Sequence, residues 1–260
     1  MVELNFDRGR PEAILDLWPV PELREWRRED GRLFLGAGVT FERIMRELPE
    51  LVPLVQASRT VGSPQIRNRG TLGGNLGTAS PAGDALPVLA AYEAEVVVGR
   101  AGADPRSLPW SDFMRGPKQT ALSPEELILG ARWRPARGPG SFSKIGVRNA
   151  MVISAAGLCL VIDEDARAVR VALGSVGPTI IRAVEAEAPA ARALGVAGVW
   201  DDPSASVPLA VIEEFAERVA EAARPIDDVR GTAEYRRHAC RVLARRALRW
   251  NLEERAAGAA

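Results

Sequence analysis

The chain has 260 residues, 47% of them apolar and 26% charged, with Lys+Arg and Asp+Glu both at 34. At about 150 residues per domain this is one large domain or two modest ones, with ordinary globular composition. A chain of this length buries about 70–75% of its unfolded surface and needs no disulfide or metal to hold it together. Zero net charge argues against a general nucleic-acid binder or a polybasic membrane anchor.

Residue inventory excludes more. Cys159, Cys240 and His238 are the only cysteines and histidine, too few for an iron–sulfur centre or a structural zinc site. Lysine occurs only at 118 and 144. The N-terminus lacks a basic region followed by an apolar core, so it does not read as a secretory signal. The longest nearly apolar run, Val152 to Ile162, falls far short of the ~20 residues of a membrane-spanning helix. The expected setting is cytoplasmic, with reduced thiols.

In chain order, residues 11–17 and 32–37 read as short strands separated by a polar helix-or-turn stretch. Thr40 reads as the N-cap of a helix through Phe41, Ile44, Met45 and Leu48, which recur at three-to-four spacing; Pro49 and Pro53 break it. A stretch rich in Gly, Pro, Asn, Thr and Ser then runs from 62 to 87. Strand character returns at 94–98, 127–133, 142–147, 152–162 and 168–176, with 135–140 as the best linker. Helical, alanine-rich segments follow near 182–194, 206–222 and 232–254. The last shows Tyr235, Ala239, Val242, Leu243, Ala247 and Trp250 on one face, with arginines opposite. Strands before helices in the second half suggest two α+β units.

The informative segment is Arg69-Gly70-Thr71-Leu72-Gly73-Gly74-Asn75-Leu76-Gly77-Thr78-Ala79-Ser80-Pro81-Ala82-Gly83-Asp84. Its glycines let backbone amides converge and a ligand approach without Cβ obstruction, and successive N–H groups in such a bend can cradle an anion. Neither a P-loop nor a Rossmann fingerprint is present. Neutral donors of this kind suit a pyrophosphate; the plain alternative is a surface Ω-loop in which Asp84 caps the next helix.

Thr71–Leu76 followed by Ala79–Pro87 resembles the FAD-binding subunit of the xanthine dehydrogenase/carbon monoxide dehydrogenase (molybdenum hydroxylase) family. So do Thr60–Gly70, Pro124–Ile128, Ser143-Lys144-Ile145 with Arg148, and Asp228–Arg237, in the same order. The resemblance implies an α+β protein: an FAD-binding domain of the vanillyl-alcohol-oxidase type over 1–135, then a C-terminal α+β domain of the CO dehydrogenase flavoprotein type over 141–255. It implies an oxidoreductase subunit that binds FAD and no metal, has no catalytic side chain of its own, and moves electrons. They would come from a [2Fe–2S] small subunit, reduced in turn by a molybdopterin large subunit, and go to NAD, oxygen or another acceptor, in a dimer of heterotrimers without nucleic acid or a membrane span. Residue by residue, Thr71, Gly73, Gly74 and Asn75 would contact the FAD pyrophosphate. Asp84 would bond the ribose or phosphate region with help from Thr78, and Val61 would pack on the nucleotide. Ile128 would offer its backbone to the flavin ring, and Lys144 would put a cation near the ring's polar edge, raising its potential; the plain alternative for Lys144 is a snorkelling surface lysine.

The family holds its pyrophosphate with two glycine-rich loops, and the first comes shortly before a segment like Arg10–Leu17. That loop is expected to be missing here, together with roughly forty to fifty residues of a βαβ unit, through a wrong start at Met1 or truncation. An exposed strand edge and a sharp fall in FAD affinity would follow. Two other readings stay open: a stand-alone flavin oxidoreductase, and a non-catalytic assembly subunit that has lost FAD. The arginine stripe of Arg236, Arg237, Arg241, Arg245, Arg246 and Arg249 reads as a solvated helix face, His238 as structural, and Cys159 and Cys240 as thiols without redox partners.

Overall fold

A computed structural model describes residues 11–258; the expectation of a missing first loop concerns positions outside that range. Residues 11–17 form no strand, and Ile14 and Leu15 are exposed. The first strand is instead β1 (Trp26–Glu29), which pairs antiparallel with β2 (Arg32–Gly36). Asp30 and Gly31 join them with φ values of 51° and 70°, the backbone a two-residue hairpin turn requires and the reason for Asp-Gly there. Leu33 and Leu35 of β2 are fully buried while Arg32 is exposed, the period-two alternation of a strand with one core face.

Helix α1 (Phe41–Glu47) starts at Thr40, whose Oγ1 accepts from Arg43 N at 3.3 Å, and buries Phe41, Ile44 and Leu48 as the spacing predicts. On its other side Glu47 accepts from Arg43 Nη2 at 2.8 Å, Arg46 Nη2 at 2.8 Å and Trp26 Nε1 at 3.1 Å. The Arg43 hydrogen bond above all holds the Glu47 carboxyl down at about 2, against an ordinary 4.5. A group depressed in the folded state stabilises fully above its unfolded pKa and loses that contribution as pH falls through the folded one. Acid titration of Glu47→Gln should therefore show a shallower loss of stability between pH 4.5 and 2 than the parent; identical slopes would exclude this tie.

The glycine-rich stretch is not one loop. After α2 (Val52–Thr60) it folds as three short helices, α3 (Pro64–Arg67), α4 (Leu72–Thr78) and α5 (Ala85–Ala91). Strands β3 (Glu95–Gly99) and β4 (Arg106–Pro109) follow, then a helical turn α6 (Trp110–Phe113), the small pair β5 (Met114–Gly116) and β6 (Gln119–Thr120), and β7 (Leu127–Trp133). The first sheet is antiparallel, in the order β1-β2-β7-β3-β4.

A second antiparallel sheet, in the order β11-β10-β9-β8, comes from β8 (Gly140–Ile145), β9 (Ala156–Asp163), β10 (Ala168–Gly174) and β11 (Ile181–Arg182). Strand character begins at Ala156, four residues later than the apolar run suggests. Helices α7 (Val184–Val196), α8 (Leu209–Ala222) and α9 (Ala233–Gly258) complete the described chain. This sheet is covered on both faces. Cys159 and Val161 of β9 join the first core with Leu54, Leu86 and Leu89, while Leu158, Leu160 and Ile162 join the second with Phe215, Leu243 and Leu248. Burial on both sides is why β9 reads as a continuous apolar run, and why α5, between the two sheets, is buried at every residue.

Helix α9 is rotated from its expected orientation. Its inward stripe is Ala239, Cys240, Leu243, Ala244, Ala247 and Leu248, and Tyr235 and Trp250 lie outside. Arg241 and Arg245 do form a solvated face, paired with Glu217 and Glu213 of α8. Arg236 leaves that stripe: it is 3% exposed, pairs with Asp228, and donates to Ser175 O at 2.7 Å. His238 is exposed. Cys159 and Cys240 are buried free thiols, the latter pushed up to about 12 by burial.

Candidate functional site

Helix α4 begins at Thr71, whose Oγ1 accepts from Gly74 N at 3.0 Å. Leu72 and Leu76 point into the core. The first turn is pinned to the end of β2: Leu72 N donates to Val39 O at 3.1 Å and Gly73 N to Ala37 O at 2.8 Å. A Cβ on Gly73 would stand 2.5 Å from Ala37 Cβ and 2.7 Å from Ala37 O, so only glycine lets helix and strand end approach this closely. The picture of free amides converging on an anion is thereby corrected. The amides of Leu72, Gly73, Gly74 and Asn75 already bond Val39 O, Ala37 O, Thr71 Oγ1 and Thr71 O.

What α4 offers a ligand is a bare surface. Gly74, Gly77 and Thr78 recur at helical spacing and are exposed. A Cβ at Gly74 would meet only Thr71 Oγ1 at 3.2 Å, and one at Gly77 only Ile128 Cδ1 at 3.5 Å. Thr78 turns its hydroxyl inward, donating to Gly74 O at 2.7 Å, which keeps that face smooth. Thr71, Gly73, Gly74 and Ile128 share a cleft of about 390 Å³ with Ala37 and Gly38. Trp18 forms another wall, its ring within 5.3 Å of both the Arg24 and the Arg69 guanidinium carbons, a cation–π sandwich. Glu126 stands at the rim, held down to about 2 chiefly by the hydrogen bond from Arg106.

Asp84 and Lys144 do something other than the sequence suggests. Asp84 precedes α5 but makes no capping bond; it is 8% exposed. Its Oδ2 accepts from Lys144 Nζ at 2.6 Å and Thr60 Oγ1 at 2.9 Å, and its Oδ1 from Ser154 Oγ at 2.9 Å. The Lys144 ammonium also donates to Thr60 O at 3.0 Å and Val152 O at 3.1 Å. All three of its protons are used, so the snorkelling reading fails, and the cation is neutralised at its base. Lys144 is an internal tie linking α2, the start of α5, β8 and the segment before β9. Thr60 and Ser154 complete this tie, and no spacing rule pointed to them, because they lie 24 and 70 residues from Asp84.

Val61 is half-buried against the first core. Asn75 faces neither the cleft wall nor solvent fully, and its Oδ1 is buried without a partner, an unmet acceptor that costs free energy unless a donor reaches it. For the flavin nucleotide that the sequence resemblance implies, the fit is good: a Cβ-free helix face, a cleft walled by aromatic and aliphatic groups, the Thr71 hydroxyl, and an orphaned amide oxygen. Among the described residues no group of three or more His, Cys, Asp or Glu is placed to hold a metal ion, and no helix is long and apolar enough to cross a membrane.

The family model described as the FAD binding domain in molybdopterin dehydrogenase matches residues 1–132, and the CO dehydrogenase flavoprotein C-terminal domain matches residues 204–251. The chain is 30% identical over 258 residues to the carbon monoxide dehydrogenase medium chain of Hydrogenophaga pseudoflava, covering 95% of this chain and 84% of that one. It is 29% identical to the glyceraldehyde dehydrogenase medium chain of Sulfolobus acidocaldarius, covering 92% and 83%. Among solved structures, quinoline 2-oxidoreductase from Pseudomonas putida superposes with a TM-score of 0.83 at 24% identity, over 98% of this chain and 87% of that one. Carbon monoxide dehydrogenase from Hydrogenophaga pseudoflava superposes with a TM-score of 0.81 at 24% identity, over 98% and 86%; both likenesses speak for the fold. With one family model over half its length and a relative at 30% identity along nearly all of it, the chain belongs to the FAD-binding medium subunits of the molybdenum hydroxylase family.

Proposed function

We propose that this chain is the electron-transfer station of a cytoplasmic molybdenum hydroxylase. It would stand between the [2Fe–2S] clusters of a small subunit, fed by a molybdopterin large subunit, and an external acceptor, in a dimer of heterotrimers. Bound FAD supplies the chemistry of exchanging electrons singly or in pairs. The chain's own residues bind and orient it. The observation that carries this reading is the glycine face of α4 opening onto the cleft shared with Ile128.

In this assignment Thr71, Gly73 and Gly74 lie along the diphosphate, Thr71 through its hydroxyl and the glycines through the close approach they permit. Asn75 contributes Oδ1, the acceptor left unmet inside the protein. Thr78 keeps the helix face flat, Val61 packs on the nucleotide, and Ile128 borders the ring with its backbone. Asp84 and Lys144 act through the tie they form: they fix the walls that meet the ring's polar edge, and Lys144 keeps a positive charge near it. The division between an FAD-binding part to 135 and a C-terminal part from 141 is proposed with the same reading.

The purified full chain is expected to be yellow, or to take up FAD in calorimetry to about one per chain, and to co-purify with the small and large subunits when these are co-expressed. A colourless protein that ignores added FAD would overturn the assignment and favour an assembly subunit. An FAD-loaded chain that oxidises a substrate unaided would favour a stand-alone oxidoreductase.

A further inference from the structure

On the far side of the Asp84 tie lies a second cleft, of about 790 Å³. Its walls carry Arg59, Arg67, Arg148 and Lys144, and no Asp or Glu. That departs from the rest of a chain whose acids and bases balance at 34 each. Elsewhere guanidiniums find carboxylates, as in Arg43–Glu47, Arg106–Glu126 and Arg182–Glu187. Here only Lys144 has one, and that partner sits behind the wall.

Two of the three arginines build the cleft while keeping their charge. Arg67 Nη1 donates to the carbonyls of Arg59, Val61 and Gly62, at 3.2, 3.3 and 3.1 Å, wrapping the turn after α2 around itself; its Nε is buried without a partner. Arg148 donates to Met151 O through Nε at 3.2 Å and through Nη2. Arg59 is exposed and no hydrogen bond or ion pair is made by its guanidinium. Three like charges around one cleft repel one another, and a polyanion placed among them removes that cost. Guanidinium forks match phosphate oxygens in shape as well as charge.

We propose that this cleft binds the phosphate-bearing part of an anionic electron acceptor, held by Arg59, Arg67 and Arg148 next to the Lys144 wall. The inference rests on the flavin reading, since it is Lys144 that brings the cleft against the ring's polar edge. It narrows the acceptor from any oxidant to one carrying phosphate. Binding of this kind weakens with ionic strength, because two of the cations are exposed.

The test is calorimetric titration of the FAD-loaded full chain with inorganic pyrophosphate, a probe that accepts no electrons. The flavin spectrum is followed throughout. The expected result is binding with flavin retained, weakened at least about tenfold in the double variant Arg59→Ala/Arg148→Ala. It should also weaken in Arg59→Glu, where the exposed guanidinium makes no bond and the fold is not at stake. Absence of binding, or equal binding in the variants, overturns the proposal. Flavin released as pyrophosphate binds overturns it too, by assigning the cleft to the diphosphate of FAD itself. A chain that takes up no FAD is recognised by its missing absorption and sinks the flavin reading together with the acceptor assignment.

Discussion

Replacing Asp84 with alanine is expected to cost about 3–5 kcal/mol of folding stability, the typical loss when one partner of a buried ion pair is removed. The Lys144 ammonium, with a side chain 10% exposed, would then be left without its carboxylate. The hydroxyls of Thr60 and Ser154 would lose their acceptor at the same time. Denaturant unfolding of Asp84→Ala, Lys144→Met and the double variant checks this. The double variant should recover much of the loss, because two apolar groups of similar size in place of a buried pair are often close to neutral. A loss under about 1 kcal/mol in Asp84→Ala would show that the pair is effectively solvated. FAD affinity should fall in every variant, since the tie sets the positions of the walls.

The second large effect is expected at Gly73. Its added Cβ in Gly73→Ala would stand 2.5 Å from Ala37 Cβ, 2.7 Å from Ala37 O and 2.9 Å from Ala37 Cα, and backbone cannot swing aside as a side chain can. Overpacking of this kind costs about 1–3 kcal/mol or more, and α4 would lift from the end of β2. Gly74→Ala and Gly77→Ala should behave oppositely. Both positions are helical and open, so the helix should gain up to about 1 kcal/mol, while the new methyl intrudes on the face assigned to the cofactor. Stability lost at 73 and affinity lost without stability at 74 and 77 is the expected pattern. If Gly74→Ala and Gly77→Ala bind FAD as the parent does, the cofactor does not lie on α4.

Much of the fold was legible where burial imposes a period. The helix behind Thr40, the buried run of β9 and the strand at 127–133 stand where the pattern places them. The misplacements have physical causes. Residues 11–17 alternate like a strand yet pair with nothing, and β1 hides in Trp26-Arg27-Arg28-Glu29 because an edge strand with one solvated face can be almost wholly polar; the Asp-Gly turn was its one local signal. Ala239 and Ala247 fix the inward side of α9 only loosely, since small residues fit many neighbours, and the buried Arg236 is explained by Asp228 and Ser175 O, which no helical pattern reveals.

The candidate site divides in the same way. Glycines 73, 74 and 77 are visible as a motif, but whether each serves close packing or an open face depends on what lies opposite: Ala37 for the first, nothing but Thr71 and Ile128 for the others. Asp84 and Lys144 are each recognisable. Their union is not, because 60 residues separate them and only the docking of the second sheet on α2 and α5 brings them together.

That docking decides how the polypeptide gains its order. Because β9 contributes to both hydrophobic interiors, neither half can melt while the other keeps its packing. A cut in the connection near 135–140 would leave two pieces, each with apolar surface lacking its counterpart. The unit of folding, and of evolutionary exchange among relatives, is thus the entire polypeptide, and nothing smaller is viable as a flavin carrier.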